Sequence, residues 1–121
     1  MVQIIKVFSG VFFILVVGVT LSFADDVEKK DIVIKAKGIH EECVNVTPRE
    51  ALSYSFKTSK PISFNVHFHT GKDIFYPVLK EGVTEEEGAF TPEKEDFYCL
   101  MWTNDNKEPT TLTRSFKVEK K

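Results

Sequence analysis

From Asp31 onward the apolar residues recur almost everywhere with a period of two, that of pleated chain rather than of helix. The pattern is clearest in ALSYSFKT, where Leu52, Tyr54 and Phe56 alternate with Ser53, Ser55 and Lys57. It is equally regular in ISFNVHFH, where Ile62, Phe64, Val66 and Phe68 alternate with Ser63, Asn65, His67 and His69. Each stretch predicts a strand with one dry and one wet face. The short polar Ser59-Lys60-Pro61 between them predicts a hairpin or close neighbours. DIVIKAK, IHEECVNV, DIFYPVL and LTRSFKV add further strands, and Pro77, lacking an N–H, puts its strand at an edge or ends its ladder. FYCLMW is continuously apolar and predicts a central strand buried on both faces. Lys80 to Asp96, charged and interrupted by Gly82, Gly88 and Pro92, reads as a long exposed connection with one short strand near Ala89-Phe90. The sum is an all-β chain, a β-sandwich of about seven or eight antiparallel strands, with no helix after the first 24 residues.

Those first residues are of another kind. Lys6 is the only charge before Asp25, Val7 to Val19 is almost wholly apolar, and Ser22 and Ala24 are small residues ahead of Asp25-Asp26. A cationic start, an apolar middle and a small-residue exit predict a secretory signal peptide over residues 1–24. The apolar run is short for a hydrocarbon layer of ~30 Å. Cleavage leaves residues 25–121, enough for one domain, with no later stretch able to form a stable membrane span. The expected location is therefore exported, periplasmic or secreted.

Charge narrows the partners. The chain carries 16 Lys and Arg against 18 Asp and Glu, a net charge of −2. That balance gives no reason to bind nucleic acid and no basic patch for anionic lipid. Two cysteines, Cys43 and Cys99, are an even count in an exported chain and favour one disulfide, with buried free thiols or a metal–thiolate pair as the alternatives. Asn45-Val46-Thr47 matches a glycosylation acceptor, but Pro48 follows it and disfavours use.

The histidines offer the sharpest chemistry. His67 and His69 share one face of a strand, ~6.5–7 Å apart along it, a spacing at which two imidazoles can converge on copper or zinc. His40 is the candidate third ligand, with Glu41, Glu42, Asp73 and Met101 as supplements that no spacing draws together. Alternation alone also accounts for both positions, since Ser63 and Asn65 lie on the same polar face. Catalysis finds little support: Ser63, His67 and Asp73 make a nominal triad, but no nucleophile elbow surrounds the serine. Glu85, Glu86 and Glu87 read as a solvated run. The expectation is a non-enzyme with no cofactor. The candidate ligand-binding residues are His67 and His69, beside the Thr70–Lys72 turn, together with Tyr98 and Trp102.

An early Cys43, then ALSYSFKTSKPISFNVHF, and a late FYCLMWTN form a pattern that resembles the GOLD (Golgi dynamics) domain over roughly residues 39–118. The positions that carry the likeness are Cys43, Tyr54 and Phe56, then Phe64, Val66 and Phe68, then Tyr98-Cys99 and Asn104. The resemblance implies a sandwich of jelly-roll type, a Cys43–Cys99 bridge, and a role in binding a protein or lipid-like ligand rather than in catalysis. GOLD cargo receptors continue into a coiled coil, a membrane span and a cytoplasmic tail. This chain stops at Lys121, which fits a bacterial exported single-domain member. The alternative function is a periplasmic copper- or zinc-binding protein using the His67/His69 pair.

Overall fold

Parity along one strand organises the molecule. Leu52, Tyr54, Phe56, Ile62, Phe64, Val66 and Phe68 all occupy even positions, so one uninterrupted strand can send every one of them to the same side. The computed structural model, which describes residues 28–121, has that strand. β1 is Lys30–Ile34, β2 Ile39–Val46, β3 Glu50–Thr70, β4 Asp73–Phe90, β5 Asp96–Thr103 and β6 Thr110–Lys120. The expected signal peptide lies outside the described residues.

All pairings are antiparallel, in the order β1-β6-β3-β5-β2, with β4 along the other side of β3. The fold is an all-β sandwich, made by folding one sheet over on itself. Six strands stand where seven or eight were expected, because two expected breaks are absent. ALSYSFKT and ISFNVHFH are not a hairpin but the two halves of the 21-residue β3. Lys80 to Phe90 is not a connection but the second half of the 18-residue β4.

A straight β3 would run about 70 Å at ~3.3 Å per residue, more than twice the diameter of a domain this size. It bends instead. Its first half pairs with β6 as far as Thr58↔Leu112, and its second half pairs with β5 from Ser63↔Thr103. Around the bend the register against β4 jumps between Lys57 and Ile62. Hydroxyls there replace ladder bonds. Lys60 N donates to Thr110 Oγ1 at 3.1 Å, Thr111 N donates to Ser59 Oγ at 3.0 Å, and Thr58 Oγ1 donates to Lys60 O at 2.7 Å. Ser59-Lys60-Pro61 is thus a corner where one strand changes partners. β4 follows with its own irregularities, one beside Gly82 in the left-handed region (φ 66°) and one beside Pro77.

The two halves of the folded sheet face each other across an aromatic core. Phe64 lies 4.7 Å from Phe56 and 5.4 Å from Trp102, and Phe56 meets Trp102 edge-on at 5.9 Å. Tyr98, Leu100 and Trp102 of β5 point into this core, with Leu52, Val46 and Leu112 around them. β5 lies between β3 and β2 as its apolar run predicted, although Phe97 at its start is exposed. Gly88 faces Tyr54 across β4 and β3, and a Cβ there would fall 2.7 Å from the Tyr54 hydroxyl.

Two polar ties close the sandwich. Arg114 of β6 is only 4% exposed, yet its Nε and Nη2 reach the two carboxylate oxygens of Glu42 on β2, both at 2.7 Å. His40 Nε2 joins the same carboxylate at 2.8 Å. Burial works to raise the Glu42 pKa, but the hydrogen bonds from Arg114 and His40 outweigh it and hold the carboxyl below its ordinary value. Asn104, fully buried, sets Nδ2 within 3.1 Å of the carbonyls of Ile34, Lys35 and Glu108. It thereby ties the β1–β2 turn to the β5–β6 loop. The disulfide joins Cys43 and Cys99, directly opposite each other on β2 and β5.

Candidate functional site

The register sorts the candidate residues onto two faces. Phe64 stands opposite Trp102, and Trp102 opposite His40, so His40 and Trp102 face the interior. His67 stands opposite Cys99, and Cys99 opposite Cys43, so His67, His69 and the disulfide face outward. The expected group of His67, His69, Tyr98 and Trp102 is therefore not one surface. Trp102 and Tyr98 are both 1% exposed, part of the core between the layers.

The same sorting separates the proposed metal ligands. His40 packs 5.8 Å from the Trp102 ring and bonds Glu42, on the far side of the sheet from His67 and His69. His67 itself is buried, not on a wet face. Its Nε2 lies 3.0 Å from the Glu41 carboxylate, and its Nδ1 lies 2.7 Å from the Asn65 side-chain oxygen. Desolvation, partly offset by Glu41, holds its pKa below the ordinary 6.5. His69 is exposed, with its ring 5.4 Å from that of His67. To ligate a metal, His67 must give up a buried hydrogen bond. Among the described residues, Glu41, Cys43 and Cys99 form the one group of three donor side chains within 4.8 Å, and its two sulfurs are bonded to each other. Calorimetric titration with copper or zinc should accordingly show no micromolar site. A site that appears in the wild type and vanishes in a His67→Ala, His69→Ala double variant would restore the metal reading. Ser63 and His67 share the outward face, but Asp73 pairs with Thr70 at the far tip of the β3–β4 hairpin, so no triad forms.

Tyr98 leads to a different place. The bend closes one end of the folded β3–β4 hairpin. At the other end Phe68, near the close of β3, and Phe90, at the close of β4, come together over Tyr98. The Phe68 and Tyr98 rings are 5.2 Å apart, and those of Phe90 and Tyr98 are 5.1 Å apart. Phe75 stacks on the far side of Phe68 at 5.4 Å. With Pro77, Thr91, Glu93 and Lys94, the rings of Phe68, Phe90 and Tyr98 line a cleft of about 460 Å³, within the size range of small-ligand sites. The loop enters through Lys94, whose Nζ lies 5.6 Å from the centre of the Phe68 ring. Its backbone anchors the floor, because Tyr98 Oη donates to Lys94 O at 2.7 Å. Burial, with the Asp96 and Glu93 carboxylates added, pushes the Tyr98 phenol above its ordinary pKa.

Sequence reasoning singled out Tyr98 and missed Phe68, Phe90 and Lys94 as its partners. The available signal was the shared parity of β3, which makes Phe68 an inward residue of a strand long enough to fold back over its own beginning. The outward face also keeps apolar groups in solvent, with Ile74, Tyr76, Leu79 and Phe97 all exposed.

No family model matches the chain, and no curated protein matches it. Among solved structures it is similar to a de novo designed double-stranded beta-helix determined by solution NMR, at 12% identity and a TM-score of 0.44, over 74% of this chain and 99% of that one. Among the described residues no helix is long and apolar enough to cross a membrane.

Proposed function

We propose that this chain is an exported, non-catalytic binding module, GOLD-like in kind, whose ligand site is the aromatic cleft over Tyr98. Export is supported by the leader-like first 24 residues and by the formed Cys43–Cys99 bridge. The observation that carries the binding role is the meeting of Phe68, Phe90 and Tyr98 around a cleft at the open end of the sandwich. A concave, ring-lined cleft of about 460 Å³ suits one apolar or lipid-like group better than a broad protein face.

The test is binding of N-phenyl-1-naphthylamine, a neutral apolar dye whose fluorescence rises when it leaves water. The wild type should bind it at micromolar concentration. Thr91→Trp, a change at an exposed residue on the cleft wall, should fill the space and weaken binding at least roughly tenfold, the effect of losing about 1.4 kcal/mol. Equal binding by both proteins would remove the cleft from the account.

A further inference from the structure

Resting on that reading of the cleft, we infer that the group it holds is an organic ammonium cation, alkylated and apolar at its surface. Three rings converge there, and aromatic faces carry negative charge density that attracts cations held within about 6 Å. The chain already supplies such a cation to itself: the Lys94 ammonium lies 5.6 Å from the centre of the Phe68 ring.

The surrounding charge points the same way. Lys94 is the single basic residue lining the cleft. Glu93 lines it as well, and an Asp96 oxygen lies 3.6 Å from Lys94 Nζ. Lys94 sits on an exposed loop with its side chain 54% accessible, so it can swing into solvent without loss of core packing. What it leaves behind is a set of rings with the Glu93 carboxylate on the cleft wall and the Asp96 carboxylate beside the place the ammonium held, complementary to a cation and repellent to an anion. An alkylated ammonium suits this site better than a bare one, because its weak hydration lets it enter an apolar cleft. Lys94 is then a tethered competitor that the ligand displaces.

The chemistry is shared by free quaternary ammonium compounds and by the choline headgroup of a lipid, and two arms separate those sources. Choline and its uncharged carbon isostere, 3,3-dimethylbutan-1-ol, are each titrated into the isotopically labelled full domain, with the ring resonances of Phe68, Phe90 and Tyr98 followed by NMR. Phosphatidylcholine vesicles are tested in parallel by flotation. The expected result is choline binding roughly three- to thirty-fold tighter than the isostere, the range of a partly desolvated cation–ring contact. Lys94→Gln should tighten choline binding further. Choline binding together with flotation identifies a headgroup ligand, and choline binding without flotation identifies a free cation. Equal binding of choline and the isostere would overturn the cation while leaving the apolar cleft standing. Weaker choline binding in Lys94→Gln would overturn it too, as would flotation without shifts at these rings. Binding of neither compound, in a protein that also fails to bind the naphthylamine dye, would take the cleft down with it.

Discussion

Glu42→Ala should lower the unfolding free energy by about 3–5 kcal/mol, read from urea denaturation followed by Trp102 fluorescence. The effect is large because of what stays behind. Arg114 is 4% exposed and bonded at both ends of its fork to the one carboxylate. A guanidinium does not shed its proton at any pH the fold survives. Without Glu42 it remains charged inside the sandwich, with the Glu28 carbonyl, 3.1 Å from Nη1, as its remaining hydrogen-bond partner among those described. Replacing both residues, Glu42→Leu with Arg114→Met, removes the charge along with its partner and should recover at least half of the loss. A cost under 1 kcal/mol for Glu42→Ala would mean that the pair behaves as an exposed ion pair and does not tie the layers together.

The same pair fixes the acid response. The folded-state pKa of Glu42 is depressed, so its contribution is present above the ordinary carboxylate value and is lost as pH falls through the lower folded value. His67 is also depressed, which means the folded protein resists protonating it. Stability should therefore begin to fall as pH drops below about 6.5, where the unfolded chain takes up the proton and the native chain does not. His67→Gln should flatten the first part of this decline and Glu42→Gln the second.

The other large effect concerns the sulfurs. Reduction, or Cys43→Ser with Cys99→Ser, should cost about 4 kcal/mol through restored freedom of the unfolded chain. For a domain near 100 residues that is a fall in Tm of roughly 15–30 °C. The bridge also has a local task. It fastens β2, an edge strand with a ladder to β5 alone, and β2 is the strand that brings Glu42 and Val46 to the interior. Hydrogen exchange in the reduced protein should therefore speed up first at Ile39–Val46. An unchanged melt on reduction would contradict the entropic account of the bridge. Uniform acceleration across all six strands would contradict its local role.

Much of this architecture can be read from the chain, and the parts that cannot share a cause. Alternation reveals a strand wherever it keeps step, so both halves of β3 are legible, and the unbroken apolar run of β5 is legible as a central strand. It fails in β4, whose inward residues Val78, Val83, Gly88 and Phe90 fall out of step at the irregularity beside Gly82, with a second one beside Pro77. Out-of-step apolar residues among glutamates look like loop. Local turn chemistry misleads at Ser59-Lys60-Pro61, where the constant parity from Leu52 to Phe68 was the better guide. Burial of His67 was not legible, because the groups gathered around it include Tyr76 of β4, 5.7 Å ring to ring, and Glu41 two strands away across the sheet. Nor was the cleft, which exists only because the bend brings the two ends of one hairpin together. A strand can be read from its neighbours in sequence, but a site assembled by a fold in the sheet cannot.

The most direct test of the cleft is a residue-resolved map of ligand contact. With the naphthylamine dye added to nitrogen-15-labelled protein, the largest amide shifts should fall at Phe68, Phe90, Thr91, Lys94 and Tyr98. Shifts centred on His67, Tyr76, Leu79 and Phe97 would place binding on the outward face and contradict the account.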